Sequence, residues 1–454
     1  MSRWVVTAAF ACAPLLAACE PVEKALGGGA RTPHEAYAES LREAGLAERA
    51  LGAAWLAAAE RALSEPLPVT LPFRETGFFT GDEADARGYR ISARRGERLV
   101  VTAESESDAR ARLFLDLYRQ DADESGGRDH LQSSDTLASA LRQRINRDGV
   151  YVVRIQPELL RAVRYTLTIQ VEPTLAFPVQ HHDTEAIRSA FGVDRDGGRR
   201  VHHGVDIFAP RGTPVLAAAE GRVEARLNRL GGKVVWQRVP DLGSLYYAHL
   251  DSQAVESGSL ARPGDTIGFV GNTGNAVTTP PHLHFGIYAR PGGPVDPFPF
   301  LYEPDVEPPG GLAADEPLGG WIRTVRRAVV REGPDPGAPA VDTVAVGTVA
   351  RLAAGAGDWR RIELPTGGTG FVRTRELAPT DRDRPLRTVE VTAPTALRTG
   401  PDSNALALVD LAAGTPVAVL GESGPWQLIA LSDSTGAVSG RGRPGSVRGW
   451  IATP

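Results

Sequence analysis

The sequence predicts a mainly β, multidomain chain with a helical segment near its start. Three observations carry this. At 454 residues the chain exceeds one ordinary domain. Between 67 and 173, apolar residues fall at every second position, the period of a half-buried strand. Beyond 320 the chain repeats itself. "VVREGPDPGAPAVDTVAVGTV" aligns without a gap on "ALRTGPDSNALALVDLAAGTP", matching Arg331 with Arg398, Gly333 with Gly400, Pro334 with Pro401 and Gly347 with Gly414.

Composition narrows the function. Hydrophobic residues make up 42% and charged residues 23%, the balance of a soluble globular protein. A net charge of −5, spread over so long a chain, argues against a nucleic-acid binder held by phosphate contacts, which needs a basic surface.

Each segment follows in order. Residues 1–18 read as a lipoprotein signal peptide: Arg3, an apolar stretch from Trp4 to Leu16, then small residues. Leu16-Ala17-Ala18-Cys19 resembles a bacterial lipobox, which implies a lipid on Cys19 and a membrane anchor. Glu20 follows it, and an acidic residue other than Asp there points to the outer membrane, facing the periplasm. Cys12 would leave with the signal, so the mature chain is expected to hold no disulfide. Residues 19–66 form a tether and a helix. Thr32 is its N-cap, Pro33 its first residue and Glu35 its capping-box partner. Leu41, Trp55, Leu56 and Leu63 give the helix an apolar side, for a spacer or a packing arm.

Residues 67–173 predict a β-sandwich, similar in strand layout to pre-peptidase C-terminal-type domains, with no catalytic cluster. Residues 303–319 are a Pro- and Gly-rich linker after a domain at 174–302. The two repeats, 320–380 and 386–454, resemble bacterial SH3-like domains through "LRTGPD" and "GWI". That resemblance implies two small β-barrels that bind cell-wall material.

The domain at 174–302 carries the chemistry. His282-Leu283-His284 continues as a strand pattern, and residues i and i+2 of a strand share a face about 7 Å apart. His202 and Asp206 also have equal parity. Two His and one Asp suit a catalytic zinc, because three protein ligands leave the fourth tetrahedral position open. The Gly-rich "GNTGNAVTTP" before "PPHLHF" suits the rim of an active site.

From about Phe177 to Leu301, "HHGVDIFAPRGTPVLAAAEGRVE", "LYYAHL", "RPGDTIGFVGNTGN" and "PPHLHFGIY" occur in one order. In this the chain resembles the lysostaphin/LytM-type zinc metallopeptidases, peptidoglycan endopeptidases of duplicated hybrid motif fold. The resemblance implies zinc as cofactor, with His202, Asp206 and His284 as its ligands. It implies His249 and His282 as catalytic histidines and cross-bridges of peptidoglycan as substrate. The chain departs from the common pattern at Pro280, in place of Gly, and Gly286, in place of Glu; neither is a ligand position. His203 competes with His202 but points the other way in a strand, and His181, His182 and Asp183 read as rim residues. Tyr246 and Tyr247 are candidates to line the groove. The competing reading is a wall-binding regulator that activates other hydrolases; it requires a lost ligand, and none is lost.

Overall fold

The computed structural model describes residues 31–453 except 106–111, 122–126, 135–139, 196, 305, 314, 381–383 and 432–446. The signal peptide, Cys12 and Cys19 lie outside the described residues. Among the described residues, no helix is long and apolar enough to cross a membrane.

The helical segment is two helices, Pro33–Glu43 and Ala50–Ser64, where the sequence predicts one. The first begins as expected: Thr32 Oγ1 accepts from Glu35 N at 3.1 Å, and Glu35 Oε2 accepts from Thr32 N at 2.9 Å. It ends at Gly45, whose φ of +67° disfavours other residues. Gly45 N donates to Arg42 O and Leu46 N to Leu41 O, a Schellman closure that stops the helix. The pair is a packing arm. Trp55 is 1% exposed and donates through Nε1 to Pro157 O at 2.8 Å. His34 stacks on it with ring centroids 4.6 Å apart. Trp55→Ala should therefore lower stability by about 3–5 kcal/mol, the range for truncating a buried aromatic, as read by denaturant unfolding.

Two sheets form the sandwich. One is ordered Leu67–Pro68, Arg87–Ala93, Gly149–Pro157, Leu113–Gln120, Arg128–Ser134. The other contains Phe73–Phe79, Val163–Glu172, Arg98–Ser105 and Ala140–Arg144 in that order. Alternation works as predicted: along Val163–Glu172 every second residue is buried. The second sheet does not stop at the sandwich. Thr76 and Gly77 pair with Gly355 and Ala354 of strand Val349–Ala356, so the sheet runs on into the first C-terminal repeat. Across this junction Glu75 is fully buried. Its Oε1 accepts from Tyr89 at 2.6 Å and Tyr165 at 2.9 Å, and its Oε2 lies 3.2 Å from Arg361.

The central domain is built on an eight-stranded sheet. Its path runs Ile187–Ser189, Val205–Phe208, His282–Ala289, Gly243–Leu250, Gly232–Val239, Gly221–Asn228, Leu260–Ala261, with Gly293–Val295 on the far part of His282–Ala289. Ile207, Leu283, Phe285, Ile287, Leu245 and Tyr247 are fully buried on one face of it. Phe300 fastens the domain to the sandwich: its carbonyl accepts from Thr174 N and Leu175 N. Its ring lies where a Cβ on Gly96 would come within 2.4 Å, so that position needs glycine.

The two C-terminal repeats pair alike. Arg331 faces Phe371 as Arg398 faces Trp450, and Trp359 faces Arg373 as Trp426 faces Ala452. Even the bulges recur, at Val330/Arg331 and Leu397/Arg398, and at Leu352/Ala354 and Val419/Gly421. The repeats pack on each other through Trp321 and Trp450, with ring centroids 4.9 Å apart. Arg323 donates across to Leu420 O at 2.7 Å.

Candidate metal centre

Two neighbouring strands place the carboxylate and one imidazole. Asp206 on Val205–Phe208 is the direct partner of His284 on His282–Ala289, and Phe208 is the partner of His282. Partners across a ladder share a face, so Asp206, His282 and His284 all stand on the face opposite the core. His202 precedes the strand. Its backbone pairs with the preceding segment, His202 N donating to Val193 O and Gly192 N to His202 O, and its side chain reaches over to Asp206. His203 is exposed.

His249 reaches this face by a different route. Tyr246 and Ala248 face the site, so plain alternation would turn His249 into the core. The ladder between Gly232–Val239 and Gly243–Leu250 shifts register between Lys233 and Val235, and His249 has φ +63°. This bulge re-aims the ring. Its centroid then lies 5.1 Å from His282 and 5.9 Å from His284.

The distances test the site for a metal. His202 Nε2 and His284 Nδ1 each lie 3.0 Å from Asp206 Oδ1, and 3.0 Å from each other. Zinc bonds of ~2.0–2.1 Å require tetrahedral edges of about 3.3–3.4 Å, so this triangle is a slightly contracted face of such a tetrahedron. The proton positions agree. His202 Nδ1 donates to Ala190 O at 2.8 Å, so a neutral His202 ring, as a metal ligand must be, carries its lone pair on Nε2. In that state two acceptors, His202 Nε2 and Asp206 Oδ1, face each other 3.0 Å apart, an arrangement that a shared cation satisfies. The residues fit zinc.

Burial alone would push the Asp206 carboxyl up, but His202 and His284 hold it well below its usual range. Burial pushes His284 down, against the pull of Asp206. His249 is pushed down to about 4 by burial, with His282 and His284 adding to it against the hydrogen bond to Thr273. His249 is thus neutral at neutral pH. Its Nδ1 donates to Thr273 O at 2.8 Å, as His282 Nδ1 donates to Pro280 O at 2.9 Å. A carbonyl has no hydrogen to give, so each ring donates through Nδ1, and in the neutral His249 ring Nε2 is left as a base.

Other candidates are placed elsewhere. Tyr247 is fully buried and donates to Gln237 Oε1 at 2.7 Å, so it belongs to the core and lines no groove. Tyr246 does face the site, 5.9 Å from His284, and stands in a cluster with Trp236 and Tyr288. His181, His182 and Asp183 do not join the histidine cluster. They border a cavity of about 580 Å³ with Phe208, Pro280 and Pro281. Asp183 caps the turn Thr184–Ala186. Sequence reasoning missed Arg195, whose Nη2 donates to Asp206 Oδ2 at 2.6 Å. No spacing rule links it to Asp206; a hairpin brings it there.

Residues 200–297 match Peptidase family M23, and residues 324–379 match the bacterial SH3 domain. The L-Ala--D-Glu endopeptidase of Bacillus subtilis is 38% identical over 138 residues, 28% of this chain and 42% of that protein. Peptidoglycan DD-endopeptidase ShyC of Vibrio cholerae is 38% identical over 101 residues, 21% of this chain and 23% of that one. Lysostaphin of Staphylococcus staphylolyticus is 35% identical over 127 residues, 27% of this chain and 26% of that one. The chain thus spans less than half the length of these relatives. The solved catalytic domain of lysostaphin from Staphylococcus simulans is 34% identical, covering 25% of this chain and 88% of that one, with a TM-score of 0.23. The molecule is a mostly β, multidomain protein that combines an M23 peptidase fold with a bacterial SH3 domain.

Proposed function

We propose that this chain is a zinc-dependent endopeptidase that hydrolyses peptide cross-bridges of peptidoglycan. The observation that carries the reading is the meeting of His202, Asp206 and His284 at 3.0 Å, with the imidazoles of His249 and His282 beside them. The matched relatives named as peptidoglycan or L-Ala–D-Glu endopeptidases support the substrate class.

His202, Asp206 and His284 hold the metal. Zinc held there would supply the acidified water and the polarisation of the scissile carbonyl. The chain's own residues do the rest. His249 and His282 each present Nε2 as an acceptor, and one of them takes the proton of the attacking water. That ring then becomes a donor and passes the proton to the leaving amine. The other imidazole, its Nδ1 hydrogen held by a carbonyl, can steady the charge that develops on the carbonyl oxygen only after taking up a proton from solvent at Nε2. His282 is stacked on Phe208 at 5.1 Å, which holds its plane. Tyr246, Trp236 and Tyr288 wall the neighbouring face of the sheet, where a peptide strand can lie.

The SH3-like repeats are proposed to hold the enzyme on wall peptides or glycans. Removal of the leader 1–18 is proposed to leave a lipid-anchored Cys19 as the mature N-terminus in the outer membrane, close to the substrate. Cys19→Ala is expected to move the protein to the soluble fraction or leave it unprocessed. A wild-type mature protein that starts elsewhere and carries no lipid contradicts the anchor. Digestion of purified peptidoglycan, with mass analysis of the products, tests the activity. New peptide termini within cross-bridges are expected, and unchanged muropeptides would refute the reading.

A further inference from the structure

The Asp206 carboxylate has two oxygens, and they face different partners. Oδ1 lies 3.0 Å from both His202 Nε2 and His284 Nδ1. Oδ2 accepts from Arg195 Nη2 at 2.6 Å. The same Nη2 donates to Ser189 Oγ at 2.6 Å. Ser189 stands on the edge strand Ile187–Ser189, as the direct ladder partner of Asp206. Arg195 belongs to a short hairpin, Asp194–Arg195 against Arg200–Val201, that leads straight into His202. The guanidinium therefore spans from the hairpin to the edge strand and to the free side of the carboxylate.

The geometry points to Arg195 as a positioning residue of the metal centre, which holds Asp206 as a one-oxygen ligand. This rests on the zinc reading above. A carboxylate can grip an ion with one oxygen or with two. With Oδ2 committed to Arg195, only Oδ1 is left for the ion, and two imidazoles and one oxygen leave a tetrahedral ion its open position. A two-oxygen grip would crowd that position. The guanidinium, anchored on Ser189, also fixes the carboxylate's orientation before the ion arrives, so less ordering is lost on binding. Outer-shell partners of ligating carboxylates act in this way, and losing one typically costs about 10–100-fold in metal affinity or activity. Arginine suits the place because its planar fork keeps its orientation while serving two acceptors, which the point charge of lysine does not. The side chain is 37% exposed on a surface hairpin, so its removal should leave the core intact.

The test uses the intact, metal-stripped protein. Zinc affinity is read by competition with a chromophoric chelator, and coordination by the visible spectrum of bound cobalt(II), which absorbs more strongly with four ligands than with five. Arg195→Met should weaken zinc about 10–100-fold and reduce the cobalt absorption as Oδ2 turns to the metal. Arg195→Lys should fall between Met and wild type. If the wild type takes up no zinc, the reading of the site fails together with this inference. If the wild type binds zinc and a folded Arg195→Met protein matches it in affinity and spectrum, this inference alone fails. Should Arg195→Met not fold, Arg195→Gln carries the same comparison. If neither folds, Arg195 is a folding residue and the proposal is overturned.

Discussion

Alanine at His284 or Asp206 is expected to remove zinc and cleavage together. Each supplies one of the three atoms that meet at 3.0 Å, and no other His, Cys, Asp or Glu among the described residues joins that group. Two remaining ligands hold zinc poorly. The loss of zinc affinity should exceed the ~10–100-fold of an outer-shell change. Metal content after gel filtration and cleavage of peptidoglycan are the two readings. A protein that loses cleavage but keeps one zinc per chain would take the altered residue out of the ligand set.

His282→Ala should separate what His284→Ala joins. His282 stands on the same strand face, but its Nε2 is 4.0 Å from Asp206 Oδ1, outside the 3.0 Å triangle. Its Nδ1 is tied to Pro280 O, so the ring can accept a proton at Nε2 without being needed to grip the metal. Zinc should stay near one per chain while turnover falls by about 100-fold or more, the scale of losing a general acid–base group. Loss of zinc from this variant would make His282 a ligand. Full activity would remove it from the mechanism.

The parts of this molecule legible in its sequence are those fixed by local period. The alternation along Val163–Glu172 and the i, i+2 spacing of His282 and His284 depend only on strand parity, and the strands form with that parity. The cap at Thr32 is equally local. Parity also separates Tyr246 from Tyr247, since neighbours on a strand face opposite ways, and Tyr247 is the one in the core. What local period cannot give is where a register slips or which distant strands meet. His249 faces the site only because a bulge with φ +63° breaks the alternation. Arg195 meets Asp206 only through a hairpin. Gly45 ends a helix inside a stretch otherwise rich in helix formers. The sandwich and the first repeat share a sheet because Gly355 and Ala354 accept the edge of Phe73–Phe79, a pairing across most of the chain.

The most direct measurement of the central claim is turnover against zinc added to the metal-stripped, intact protein, with purified peptidoglycan as substrate. Cleavage should be absent at the start, rise with added zinc and level off at one zinc per chain. Cleavage that needs no zinc, or a protein saturated with one zinc that cuts no cross-bridge, would contradict it.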